Sequence, residues 1–139
     1  LEYTSIDAKK YDSRHEYWKA IKDYIVDKAH SRSEPHVVIA RFQIRSTGFL
    51  IGKMPETILL IGVLEFTLEH YHIPYTTQAP TTAKSRFKDE DLPHFIPDLE
   101  KRDNGRYYLK GKQINDHVRD ALKHLLYFMK YRKDKLYGK

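Results

Sequence analysis

An α/β fold, a sheet with helices on its faces, is predicted by three observations. The first is a β-branched run, Val37-Val38-Ile39-Ala40-Arg41-Phe42, bounded by turn signals. The second is the alternation of strand-like and helix-like segments along the chain. The third is a span of about 17 residues after Lys53, with Pro55 in its first turn, that joins two strand-like runs. Strands joined in this way run parallel through a right-handed crossover.

The elements follow in order. Leu1 to Ile6 alternates loosely and reads as the tail of a strand. Ser13-Arg14-His15-Glu16 spells a capping box, with the hydroxyl and the carboxylate three residues apart. The helix it opens runs to about His30, with Tyr17, Trp18, Ile21, Tyr24, Ile25 and Lys28 on its buried stripe. Ser31 to Pro35 is a polar turn. His36 to Gln43 is a strand buried on both faces. Arg45 to Lys53, with Gly48 and Gly52, is a loop. A helix from Pro55 to about Tyr71 carries Gly62 in its interior. Glycine there costs about 1 kcal/mol against alanine, so close packing onto the sheet is expected at that point.

Ile73 to Gln78 is a short strand, and Pro80 to Phe87 a helical turn bearing Lys84 and Arg86. Asp89 to Leu109, with Pro93, Pro97 and the turn Asp103-Asn104-Gly105, reads as an irregular connection, the kind of long loop that is often functional. The last helix covers Asn115 to Tyr131. Asn115 or Asp116 caps it, and Val118, Ala121, Leu125, Phe128 and Met129 form its core-facing stripe.

The 139 residues suffice for one domain with a real core. Hydrophobic residues make up 40%, which excludes a disordered chain. No apolar run reaches the length of a membrane span. Cysteine is absent, which excludes a disulfide scaffold and suits a reducing compartment. The net charge of +6 favours a polyanionic partner. Leu1 in place of Met predicts a chain trimmed at its start.

His117 and Asp120 are three residues apart and share a helix face. Such a pair suits a divalent metal where other carboxylates converge, and otherwise is a solvated helix start. Lys84, Arg86 and Lys88 are phosphate ligands or a solvated face. Arg41 and Arg45 follow the strongest strand, where a phosphate can reach them. Glu69, His70 and His72 read as surface residues. Tyr17 and Trp18 read as core. Tyr107 and Tyr108 stack on unpaired bases or pack in a strand.

Val38 to Phe42, Ile61-Gly62-Val63-Leu64-Glu65, Gln78-Ala79-Pro80 with Lys84, and His117-Val118-Arg119-Asp120-Ala121 with His124-Leu125-Leu126 together resemble the RuvC family. They are most similar to its phage-type branch of Holliday-junction resolvases, in the RNase H-like superfamily. The resemblance covers Ser13 to Tyr131. It implies a single RNase H-like nuclease domain over residues 1–139, with a mixed central sheet, helices on both faces and the first catalytic strand missing. It also implies a structure-specific DNA endonuclease, active on four-way junctions and other branched DNA and homodimeric. The implied location is the cytoplasm, that of the host cell if the gene is a phage's.

The family holds its metals with an Asp on the first strand, a Glu on the strand matching Val37 to Phe42, and two ligands on the last helix. His117 and Asp120 match the last pair. Ala40 occupies the Glu position. The first-strand Asp-Pro-Gly pattern is absent; Asp7 imitates it without the glycine and lies too close to Ala40. The implied cofactor is two Mg²⁺ ions about 4 Å apart, activating a water and stabilising the leaving oxygen; the histidine widens the choice toward Mn²⁺. The resemblance places Ala40, His117 and Asp120 at the catalytic centre, His117 and Asp120 as metal ligands, and Arg41, Arg45, Lys84, Arg86 and Lys88 on DNA. Two accounts fit Ala40: a Glu-to-Ala change that silences cutting in a shortened chain, or a natural pseudo-nuclease that binds nucleic acid only. Another RNase H-like nuclease, such as a terminase nuclease domain, is the remaining alternative.

Overall fold

Side-chain capping marks where two helices of this protein begin. In the computed structural model, which describes residues 3–41 and 54–132, helix α1 spans Arg14–His30. The Ser13 hydroxyl accepts from the Glu16 N–H at 3.2 Å, satisfying one of the orphan donors of the first turn. Helix α5, Asp116–Tyr127, starts the same way: the Asn115 side chain accepts from the Val118 N–H at 3.0 Å. A π-helical turn, Phe128–Arg132, continues it. Among the described residues no helix is long and apolar enough to cross a membrane.

The structure is mixed α/β and divides into two compact units, Leu1–Thr77 and Gln78–Lys139. In the first unit, α1 is followed by strand β1, Val37–Ala40, helix α2, Met54–His70, and strand β2, Tyr75–Gln78, whose last residue opens the second unit. β1 and β2 are hydrogen-bonded neighbours. Their starts lie together and so do their ends: the Val37 N–H donates to Pro74 O at 3.0 Å, and Arg41, just past β1, reaches Thr77. That is the order of parallel strands, as the crossover rule requires. Val26, Ala29, Ile39, Leu68 and Ile73 form the core, with Ile25, Val37, Ile61, Leu64 and Tyr75 packed against it.

Four expectations are corrected here. Residues 3–7 form no strand, while Leu1 and Glu2 lie outside the described residues. β1 is not buried on both faces: Ile39 is buried, Val37 and Val38 are half-buried and Ala40 is exposed. Gly62 makes no close approach, since it is exposed and a β-carbon there would meet nothing within 4 Å. Tyr17 and Trp18 are half-buried and line an open cleft of about 390 Å³ instead of filling the core. The loop from Arg45 to Lys53 lies outside the described residues.

In the second unit, helix α3 covers Pro80–Arg86 and starts on Pro80, whose fixed φ suits a first turn. A 3₁₀ turn, Asp89–Asp91, leads into helix α4, Leu92–Phe95. The segment expected to be irregular then forms strands. β3, Leu99–Lys101, β4, Tyr107–Leu109, and β5, Lys112–Ile114, make an antiparallel sheet in the order β3-β4-β5. Tyr107 and Tyr108 are therefore strand residues. Asp103-Asn104-Gly105 is the β3–β4 turn, with Gly105 at φ 79°, and Lys110-Gly111, at φ 51° and 83°, is a two-residue turn of the kind that matches strand twist.

Strand pairing puts Leu99 opposite Leu109 and Tyr107 opposite Ile114. These four side chains, with Leu92, Ile96, Val118 and Leu122, are the core of the unit. The phase of α5 differs from the expected stripe. Val118, Leu122 and Phe128 are buried, whereas Ala121, Leu125 and Met129 are exposed.

Candidate functional site

Five charged side chains of the second unit, Lys84, Asp89, Arg119, Asp120 and Lys123, gather where α3 and the Asp89–Asp91 turn meet α5. Asp120, on α5, is held by two ammonium groups. Lys84 Nζ lies 3.2 Å from its Oδ2, and Lys123 Nζ 3.6 Å from its Oδ1. Lys123 also reaches Asp89 Oδ1 at 2.6 Å, so it bridges two carboxylates. Arg119 closes the chain of charges, with its Nε 3.3 Å from Asp89 Oδ2 and its guanidinium over the Tyr107 ring.

The charges are not equally wet. The Lys123 side chain is only 10% exposed, while that of Asp89 is 34% exposed. Burial of Asp89 by itself raises its carboxyl, but the hydrogen bond and attraction from Lys123, joined by Arg119, outweigh this and hold it below the usual carboxylate range. Tyr107 moves the other way: burial, then Asp89 and Glu90, raise its hydroxyl.

One helical turn on, His124 is buried, and its Nδ1 lies 3.0 Å from Oε1 of buried Gln78. For that oxygen to accept, Nδ1 carries the proton and Nε2 is left as the basic nitrogen. Gln78 Nε2 has no hydrogen-bond partner among the described residues. Burial holds the imidazole below the ordinary histidine range; Lys84 adds to this, and Asp120 opposes it in part.

A stability effect follows. A histidine with a depressed folded pKa binds fewer protons than in the unfolded chain. Stability therefore falls as pH drops through the unfolded value near 6.5 toward the folded one. His36 on the first unit, lowered by burial and with Nε2 2.8 Å from Thr76 Oγ1, acts in the same direction. Urea denaturation of wild type between pH 8 and 5.5 should show this loss. His124→Asn, which keeps a polar group toward Gln78 but cannot titrate, should flatten the dependence. An equally steep dependence in the variant would contradict the burial of His124.

Of the residues singled out in the sequence, Lys84 and Asp120 are brought together. His117 is not joined to them. Its side chain is exposed, and its backbone N–H donates to Asp116 Oδ1. Arg86 is exposed, 5.6 Å from the centre of the Tyr131 ring, and Lys88 is exposed. Ala40 and Arg41 belong to the first unit, where both are exposed and Arg41 Nη2 donates to Thr77 Oγ1 at 2.9 Å. Arg45 lies outside the described residues. Glu69, His70 and His72 are surface residues, as expected.

Asp89, Arg119, Lys123, His124 and Gln78 were not singled out as site residues. The only signal was the presence of Gln78, Arg119 and His124 in the segments that carry the family resemblance. Asp89 sits on a turn with no periodicity to mark it.

A divalent ion needs carboxylate oxygens directed at one point. Among the described residues no group of three or more His, Asp or Glu side chains converges in that way. Both Asp120 oxygens face lysines, so the donor set in this arrangement does not fit a metal. The arrangement suits anion binding: Lys84 is half-exposed and can exchange Asp120 for a phosphate oxygen. No family model, curated protein or solved structure matches the chain.

Proposed function

We propose that this protein binds branched DNA and is a RuvC-like, RNase H-like domain that acts as a homodimer. The observation that carries this is the Lys84–Asp120 contact, in which the basic helix after β2 lies against the acidic position of the last helix. The family resemblance orders these two elements as DNA ligand and catalytic acid. The parallel neighbours β1 and β2, joined through α2, and the net charge of +6 support the same reading. A two-fold dimer matches the two-fold symmetry of a four-way junction.

Hydrolysis by metal ions is assigned to the family pattern and not to this chain. Position 40 holds Ala where that pattern has Glu, and Lys123 lies between Asp89 and Asp120. An ammonium in that place neutralises the carboxylates a divalent ion would require. This favours a DNA binder that does not cut.

The test is incubation with a labelled four-way junction in Mg²⁺ or Mn²⁺. The expected result is a stable complex and intact strands. Efficient cutting would place the chemistry at residues other than those named here, and failure to bind junction or duplex DNA would remove the proposal.

A further inference from the structure

The β3–β4 hairpin carries a charge pattern that the α3–α5 cluster leaves unused. From Glu100 to Lys112 it presents five basic side chains, Lys101, Arg102, Arg106, Lys110 and Lys112, against the carboxylates of Glu100 and Asp103. All five are exposed. Strand alternation sends Leu99, Tyr107, Leu109 and Ile114 into the core, so the cross-strand partners Glu100, Tyr108 and Gln113 share the opposite, solvent face.

Arg102 lies on that face in a fixed pose. Its guanidinium carbon is 3.9 Å from the centre of the Tyr108 ring. Its Nε is 2.8 Å from Glu100 Oε1, which holds the inner edge of the fork. Tyr108 is fixed in turn by Asn104 Nδ2, which donates to its hydroxyl at 3.0 Å. The turn is set by the Arg102 N–H to Arg106 O and the Gly105 N–H to Arg102 O, each 2.9 Å. Both Nη groups of Arg102 are without a hydrogen-bond partner among the described residues. A guanidinium stacked on an aromatic ring, with its outer edge open, is pre-organised for bidentate contact with phosphate.

We propose that the solvent face and turn of this hairpin form a second DNA-contact surface that binds backbone phosphates, with Arg102 held on Tyr108 as its bidentate ligand. The inference rests on the DNA-binding reading above and names a surface which that reading does not contain. Arg106, Lys110 and Lys112 add charge along the turns. Their side chains make no hydrogen bond or ion pair among the described residues, so phosphate contact breaks nothing in the fold. Such contacts position the duplex and do not read its sequence.

The experiment is fluorescence anisotropy with labelled duplex and four-way DNA across a salt series. It compares wild type, Arg102→Ala/Arg106→Ala, Lys110→Asn/Lys112→Gln, Tyr108→Ala and Tyr108→Phe, each checked for native circular dichroism. Asparagine is chosen at position 110 because it tolerates the left-handed backbone there.

Each lost phosphate contact should flatten the slope of log K against log salt by about 0.9 on duplex DNA. The arginine double variant should bind about tenfold more weakly at moderate salt, whatever the sequence. Tyr108→Ala should weaken binding although the charge is unchanged, and Tyr108→Phe, which keeps the ring under Arg102 and loses only the Asn104 bond, should restore most of it, which a merely diffuse charge effect would not produce. Wild type that binds, together with hairpin variants of unchanged slope and affinity, overturns the hairpin proposal alone. Wild type that fails to bind DNA overturns the parent reading as well. Binding to phosphatidylserine vesicles with the same losses, in place of DNA, would make this a membrane-facing patch and overturn it too.

Discussion

Leu92→Ala is expected to destabilise the second unit by about 2–5 kcal/mol, the range for emptying a fully buried leucine site. Leu92 is 0% exposed and touches the core built by Ile96, Leu99, Tyr107, Leu109, Ile114, Val118 and Leu122. It also opens α4, and Pro93 and the preceding 3₁₀ turn restrict how the backbone there can collapse into the space. A domain has only about 5–15 kcal/mol of net stability, so one such loss is a large share. Urea titration followed by far-ultraviolet circular dichroism measures it. A shift below about 1 kcal/mol would mean that the α4 site relaxes around alanine, or that Leu92 is not in the core.

Asp89→Ala should cost about 2–3 kcal/mol, less than the loss on breaking a fully buried charge pair, because Asp89 is itself a third exposed. The cost arises at Lys123, whose ammonium is nearly buried, and at Arg119. Asp120, 3.6 Å from Lys123, offsets only part of it. Lys123→Met in the Asp89→Ala background should recover stability, since a nearly buried ammonium left with only the longer Asp120 contact is replaced by an apolar chain of similar length. The effect should shrink as pH falls through the depressed titration range of Asp89, where wild type loses the same contact. A double variant no more stable than Asp89→Ala would show that Lys123 is not the group left stranded.

Local chemistry made much of this fold legible. Ser13 with Glu16, Pro55, Pro80 and Asn115 marked helix starts that the structure keeps. The β-branched run at Val37 marked β1. The β3-β4-β5 sheet was not legible because each strand is three residues long, too short for alternation to stand out. Asn104-Gly105 was read as a turn, but a turn does not reveal that the flanking residues pair. The phase of α5 failed for a different reason. Leu122, Leu125 and Leu126 give apolar character to more than one side of the helix, and two periodic stripes fit the same sequence. The buried side includes Lys123 and His124, which are tolerated there only because Asp89 and Gln78 wait for them. Those partners lie more than thirty residues away in sequence, beyond the reach of any local pattern. At Asp120 the limit is partial. Lys123 lies three residues on, within reach of a helix pattern, whereas the pairing of the acid with Lys84, on a different helix, was not legible.

The central claim, that basic side chains beside the α3–α5 acid cluster bind DNA phosphates, is tested most directly by a salt titration of Lys84→Ala/Arg86→Ala on four-way and linear DNA. The account predicts weaker binding across sequences alike and a slope shallower by about 0.9 for each phosphate contact removed. Unchanged slope and affinity would contradict it and leave Lys84 and Arg86 as solvated charges. A loss confined to one DNA sequence would contradict it differently, by making them readers of bases.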